Sequence, residues 1–149
     1  MKFHYLARGI ILANGKVLLA HQKGASNTFL PGGHIEDGEA AESALIRELQ
    51  EELGWTGCVR KFIGAVEHVW TEDGQDNHEI NLVFEVFVAG ADARIAPRSL
   101  EERIEFFWSE PKDLIKHNLL PAPLRDCIMN WNANYNGFWG RIQKQTARE

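Results

Sequence analysis

A chain of 149 residues, 44% hydrophobic and 25% charged, has room for one ordinary globular domain that needs neither disulfides nor structural metal. Its formal net charge of -5 argues against a general nucleic-acid binder, which needs a basic surface. No apolar run approaches the ~20 residues of a membrane span, and Met1-Lys2-Phe3-His4-Tyr5 enters a strand-like pattern rather than a signal peptide. A single domain over 1–149 is expected, with 136–149 a partly ordered tail. Cys58 and Cys127 lack metal-ligand spacing and sit in apolar surroundings, so both are expected to be buried and reduced, as in a cytoplasmic protein.

In chain order, residues 6–22 predict a β-hairpin, because two apolar runs flank Asn14-Gly15, and both turn residues tolerate positive φ. Phe29-Leu30-Pro31-Gly32-Gly33 predicts a rigid, narrow loop. Residues 39–53 form the best helix candidate, ended by Gly54 at the position after the last turn. Strands are predicted over 58–70 and 80–88, joined by the polar stretch 71–77. A short strand at 104–108, one helical turn at 111–115 and a second helix at 123–134 follow; Phe138 and Trp139 hint that part of the tail packs. The pattern is that of an α/β sandwich.

The 39–53 helix concentrates the chemistry. Stepping roughly 100° per residue puts Leu45, Ile46, Leu49 and Leu53 on one apolar arc that faces the body. Arg47, Ser43 and Gln50 fall opposite, and Glu48, Glu51 and Glu52 cluster between, as i, i+3 and i+4 spacing requires. Glu52 lies at the edge of the apolar arc, between Ala41 and Leu45, and so points partly inward. A buried unpaired carboxylate costs several kcal/mol, and Arg47 alone does not neutralise three. Alanines 41 and 44 leave room beside the patch, and hard oxygen ligands suit Mg²⁺ or Mn²⁺. A Glu-rich helix face is more often merely solvated; the Pro31-Gly32-Gly33 loop just ahead, whose carbonyls can complete a coordination shell, favours metal.

These residues resemble the signature of the Nudix hydrolase family. Its fixed positions are matched by Gly33, Glu39, Arg47, Glu48, Leu49, Glu51, Glu52, Gly54 and Trp55, the last replacing a more usual aliphatic residue. The leading hairpin, Leu30-Pro31-Gly32-Gly33, and Phe107-Trp108 followed by Pro111 and Leu114 also look like family features. The resemblance implies an α/β/α sandwich around a mixed β-sheet. It implies metal ligation by Glu48 and Glu52, by Glu51 directly or through water, and by the Gly32 carbonyl. Arg47 would orient the carboxylates and Glu39 would brace the loop–helix junction, while Gly33 and Gly54 would permit backbone geometry.

The implied activity is hydrolysis of a diphosphate linkage in a nucleotide-like small molecule, with Mg²⁺ or Mn²⁺ as cofactor and no stable nucleic-acid or membrane partner; many relatives pair as homodimers. Water attacks phosphorus, so a general base is needed. The candidates are Glu48 and Glu51 on the helix, with Glu79, Glu101, Glu102 and Glu105 outside it; the helix is favoured. Trp70, Phe29 and Trp139 offer aromatic faces for a nucleobase, and His34, Trp70 and Glu79 are the substrate-contact candidates, with His68 and His78 ranked below. Neither the proline of ADP-ribose-cleaving branches nor the motif of the NADH-cleaving branch is found. Two rivals stand beside the hydrolase: a non-catalytic domain that binds a nucleotide metabolite, and an isoprenoid diphosphate isomerase, which would need a cysteine at the pocket.

Overall fold

The computed structural model describes residues 1–130 and 137–142, the last five as backbone alone. Strand β1 (Lys2–Ala13) turns through Asn14 and Gly15, at φ 50° and 74°, into β2 (Lys16–Gln22). Then come β3 (Gly32–His34), α1 (Ala41–Leu53), β4 (Gly57–Glu72), β5 (Gln75–Val88), β6 (Ile104–Ser109), a 3-10 turn (Pro111–Asp113), α2 (Pro123–Met129) and β7 (Phe138–Ile142). The sheet runs β6-β2-β1-β5-β4-β7, with β3 also paired to β1. β1 is parallel to β5 and β4 to β7, and the other pairings are antiparallel, so the sheet is mixed.

Successive side chains on a strand point to opposite faces, so a continuous apolar run serves two cores at once. Ile10, Val17 and Leu19 pack on one side with Leu124, Cys127 and Ile128 of α2. Ala7, Ile11, Leu18 and Ala20 pack on the other with Leu45, Leu49 and Leu53 of α1. A helix on each face of the mixed sheet makes the expected α/β/α sandwich. Its assembly holds α1 against β1 and β3, which sets the acidic helix beside the glycine turn.

Several local expectations need correction. The helix starts at Ala41 rather than 39, because Glu39 is used outside it: its Oε2 accepts from the Glu36 N–H at 3.0 Å. Ile46 is 38% exposed, because Leu45, Leu49 and Leu53 already fill the contact with the sheet. Ala44 is buried in the core and leaves no open space at the surface. Gly32–His34 is a short strand rather than loop, opposite Leu6, Ala7 and Arg8. The polar stretch 71–77 is not a loop either; the ladder runs on to Glu72 opposite Gln75, with only Asp73-Gly74 turning. Asp-Gly is as good a hairpin signal as Asn14-Gly15. Cys58 is exposed because it lies opposite Phe87, itself 50% exposed, where no helix among the described residues covers the sheet. α2 ends at Met129, and 131–136 and the Trp139 side chain lie outside the described residues, whereas the backbone of 138–142 pairs with β4.

Candidate metal and diphosphate site

The three helix glutamates meet three different environments. Glu51 is half exposed, with 53% of its side chain accessible, whereas the Glu48 side chain is 17% accessible. Glu52 is only 6% exposed, and its Oε2 has no hydrogen-bond partner. Burial, and then the charge of Glu48, pushes the Glu52 carboxyl up to about 8, against the pull of Arg8. Burial also raises Glu48, with Arg47 opposing. A folded protein rarely leaves a carboxylate oxygen buried and orphaned without a use for it.

Arg47 organises the outer side of this patch. Its Nε and Nη2 donate to the two oxygens of Glu39 at 2.8 and 3.0 Å, and its Nη2 also donates to the His34 carbonyl at 3.1 Å. Nη1 reaches Glu48 at 3.1 Å and, more loosely, Glu51 at 3.4 Å. The forked pair holds the Glu39 carboxyl down to about 2 and ties the loop before the helix to the helix itself. Arg47→Lys keeps the charge but not the fork. We expect it to lower kcat tenfold to a hundredfold while the protein stays folded, checked by steady-state kinetics beside circular dichroism.

Gly33 explains where Glu48 rests. A Cβ added there would lie 2.6, 2.7 and 2.9 Å from the three carboxyl atoms of Glu48, so the side chain occupies the space glycine leaves. Among the described residues no three His, Cys, Asp or Glu side chains already converge as a metal cage, because Glu48 leans on Arg47 and Gly33 while Glu51 faces solvent. The donor set nevertheless fits a hard divalent cation. It consists of carboxylates on one helix face, one of them with a buried unpartnered oxygen.

Of the off-helix base candidates, Glu101 lies within electrostatic reach of Glu52, helped by the Leu100 N–H donating to the Glu52 carbonyl at 2.7 Å. Glu105 is paired with His21 at 2.8 Å, and Glu102 is exposed.

A cavity of about 550 Å³ is lined by Arg8, Phe29, His68, Trp70, Glu79 and Asn81 among others. None of the helix glutamates lines it, and Arg8, which bonds the Gly32 carbonyl, links it to the patch. Trp70 stacks on His4, with centroids 5.6 Å apart, and leans on His68 at 5.1 Å. Glu79 takes hydrogen bonds from Asn81 Nδ2 at 2.9 Å and His68 Nδ1 at 3.4 Å. Burial raises the Glu79 carboxyl, but His68, Asn81 and Arg8 more than offset it, so the net shift is down. Trp70 and Glu79 are thus brought to the cavity. His34 is not: it is exposed, bonded to His4 at 3.0 Å, and absent from the lining.

Arg8 is not among the residues singled out from the sequence, and His68 is ranked there below His34; Arg8 and His68 line the cavity, whereas His34 does not. Arg8 donates through Nη1 to the carbonyls of Leu30 and Gly32, at 3.2 and 3.1 Å, and through Nε to Asn81 at 3.4 Å. A charged residue inside the apolar run of β1 was the available signal. The Gly32 carbonyl, expected to face a metal, already accepts this bond and keeps a second lone pair.

The family model of the NUDIX domain matches residues 3–131. An ADP-ribose pyrophosphatase of Methanocaldococcus jannaschii is 35% identical over 106 residues, covering 66% of this chain and 58% of that protein. The chain thus spans less than two thirds of the length of that relative. A CTP pyrophosphohydrolase of Escherichia coli is 28% identical over 135 residues, covering 87% of this chain and 93% of its own. A solved NUDIX hydrolase from Nitrosomonas europaea shares the fold, with a TM-score of 0.68 at 22% identity over 91% of this chain and 93% of that one.

Proposed function

The chain belongs to the NUDIX family, and from that premise we propose that it is a metal-dependent hydrolase cleaving the diphosphate linkage of a nucleoside diphosphate joined to another moiety. The observation that carries the reading is the orphaned, buried oxygen of Glu52 beside Glu48, a pair of carboxylates unfavourable without a cation. Members of the family use divalent metal, and we take Mg²⁺ or Mn²⁺ as the occupant, held by Glu48, Glu51, Glu52 and the Gly32 carbonyl. Such ions, when bound, neutralise charge spreading over the phosphoryl oxygens and make water a stronger nucleophile.

The chain's own residues do the rest. Arg47 keeps Glu48 and Glu51 in register with the Glu39-braced loop. A helix glutamate, Glu48 or Glu51, accepts the proton of the attacking water. Trp70 and Phe29 give the nucleoside an aromatic wall, and Glu79 fixes His68 and Asn81 beside it. The named relatives act on an ADP-ribose and on CTP, so the nucleoside moiety is left to experiment. We place the protein in the cytoplasm, a reading supported by the free, exposed thiol of Cys58. The intact set of glutamates counts against a non-catalytic binding domain, and neither cysteine lines the cavity, as an isomerase would need.

The test is a panel of nucleoside triphosphates, nucleotide sugars and dinucleoside polyphosphates with Mg²⁺ and Mn²⁺, with Glu52→Gln as control. Turnover of at least one compound to two phosphate-containing products is expected. A wild-type protein that cleaves none of them with either metal would overturn the reading.

A further inference from the structure

The cavity is acidic on two sides. Glu72 and Glu79 line it, and Glu48 and Glu52 lie within electrostatic reach of its inner edge through Arg8. A diphosphate must nevertheless enter. Arg8 is the only arginine or lysine among the described residues that line it. Arg47, the arginine on the acidic helix itself, spends its donors on Glu39, Glu48, Glu51 and the His34 carbonyl.

Arg8 does not spend all of its own. A guanidinium has five N–H donors in a rigid fork. Nε serves Asn81, Nη1 serves Leu30 and Gly32, and Nη2 makes no hydrogen bond among the described residues. The group is also locked in place: the Phe29 ring lies 5.1 Å beneath it, and Asn81, 1% exposed, is itself fixed by Glu79 at 2.9 Å. No carboxylate comes within ion-pair distance of Arg8 among the described residues; Glu79, Glu52 and Glu48 act on it only through space. A brace for the Leu30–Gly32 backbone needs Nη1 alone. Two donors are left unused on a guanidinium that lines the cavity and that stays protonated at working pH although burial lowers its pKa.

We propose that Arg8 is the phosphate anchor of this site, its Nη2 donating to an oxygen of the bound diphosphate and holding that group between the acidic helix and the aromatic wall. The inference deepens the hydrolase reading and rests on it. It makes Arg8 a substrate-binding residue as well as a brace. It also predicts that the cavity recognises anions without help from metal, since the guanidinium is in place before any cation arrives.

The experiment measures binding of inorganic pyrophosphate by calorimetry in EDTA, for wild type, Arg8→Met, Arg8→Gln and Arg8→Lys, with melting curves and the KM of a cleaved compound alongside. Wild type is expected to bind; Arg8→Met should weaken binding tenfold to a hundredfold and raise KM by a similar factor, and Arg8→Lys should recover part of the loss. If Arg8→Met does not fold, Arg8→Gln, which keeps donors for the two carbonyls, must show the same weakening. Wild type that binds no pyrophosphate at millimolar concentration overturns the proposal. So does a folded neutral variant with unchanged pyrophosphate affinity and unchanged KM, even if its melting point falls. Failure of the hydrolase reading appears separately, as wild-type protein that turns over nothing while the pyrophosphate comparison still reads out.

Discussion

Glu52→Gln is expected to reduce turnover on the order of a thousandfold while making the metal-free protein more stable. The loss follows from removing one charged metal donor, a matter of several kcal/mol in the transition state. The gain follows from burial. Glutamine fills the same space without a charge, so the cost of a buried carboxylate charge beside Glu48 is removed, although a polar atom still sits where Oε2 was. The pH dependence gives the effect a signature. Unfolded, the Glu52 carboxyl titrates near 4.5; folded and metal-free, it is held up to about 8, chiefly by burial. The folded state therefore binds a proton that the unfolded state releases, and stability from this group falls as pH rises from about 4.5 to about 8, then levels. The full loss is a few kcal/mol. Chemical denaturation in EDTA across that window should show the decline in wild type and lack this component in Glu52→Gln.

Two adjacent glycines are expected to fail in opposite ways. Gly32 has φ 131°, and an added Cβ would land on the carbonyl oxygen of Ala7 in β1. Neither backbone can yield without breaking the β1–β3 pairing, so Gly32→Ala should cost about 3 kcal/mol or more and lower the melting temperature sharply. At Gly33 the obstacle is the end of the Glu48 side chain, 2.6 Å away, which can swing aside. Gly33→Ala should therefore stay within about 1 kcal/mol of wild type in stability. Its cost falls on chemistry: displacing a carboxylate by an ångström or so is worth on the order of a hundredfold in kcat. Denaturation and steady-state kinetics on both variants separate the two outcomes; a Gly33→Ala enzyme with unchanged kcat would mean that the resting place of Glu48 has no bearing on turnover.

What could be read in advance was what depends on local spacing. The apolar arc of Leu45, Leu49 and Leu53 fixed the inward edge of α1, and from it the burial of Glu52 followed. Asn14-Gly15 announced its hairpin for the same local reason. Asp73-Gly74 carried an equal signal but sat in a polar stretch, where hydrophobic alternation no longer marks the strands. The cavity was not legible, because it exists only where β1, β4, β5, the 22–30 stretch and the 120–124 segment come together, in part through pairings such as Arg8 opposite Val83 and Ala65 opposite Leu82. Arg8 went unread for that reason. In sequence it is one cation in an apolar strand; only the register reveals the carbonyls and the amide it holds.

The most direct measurement is thermal melting of wild type and Glu52→Gln at pH 8, each with and without Mn²⁺. Binding to the folded state alone at a hundred times Kd stabilises by about 2.7 kcal/mol. Wild type should gain several degrees, and Glu52→Gln should gain little. Equal gains in the two proteins, or none in wild type at millimolar Mn²⁺, would contradict the claim that this helix carries its acidic patch for the sake of a cation.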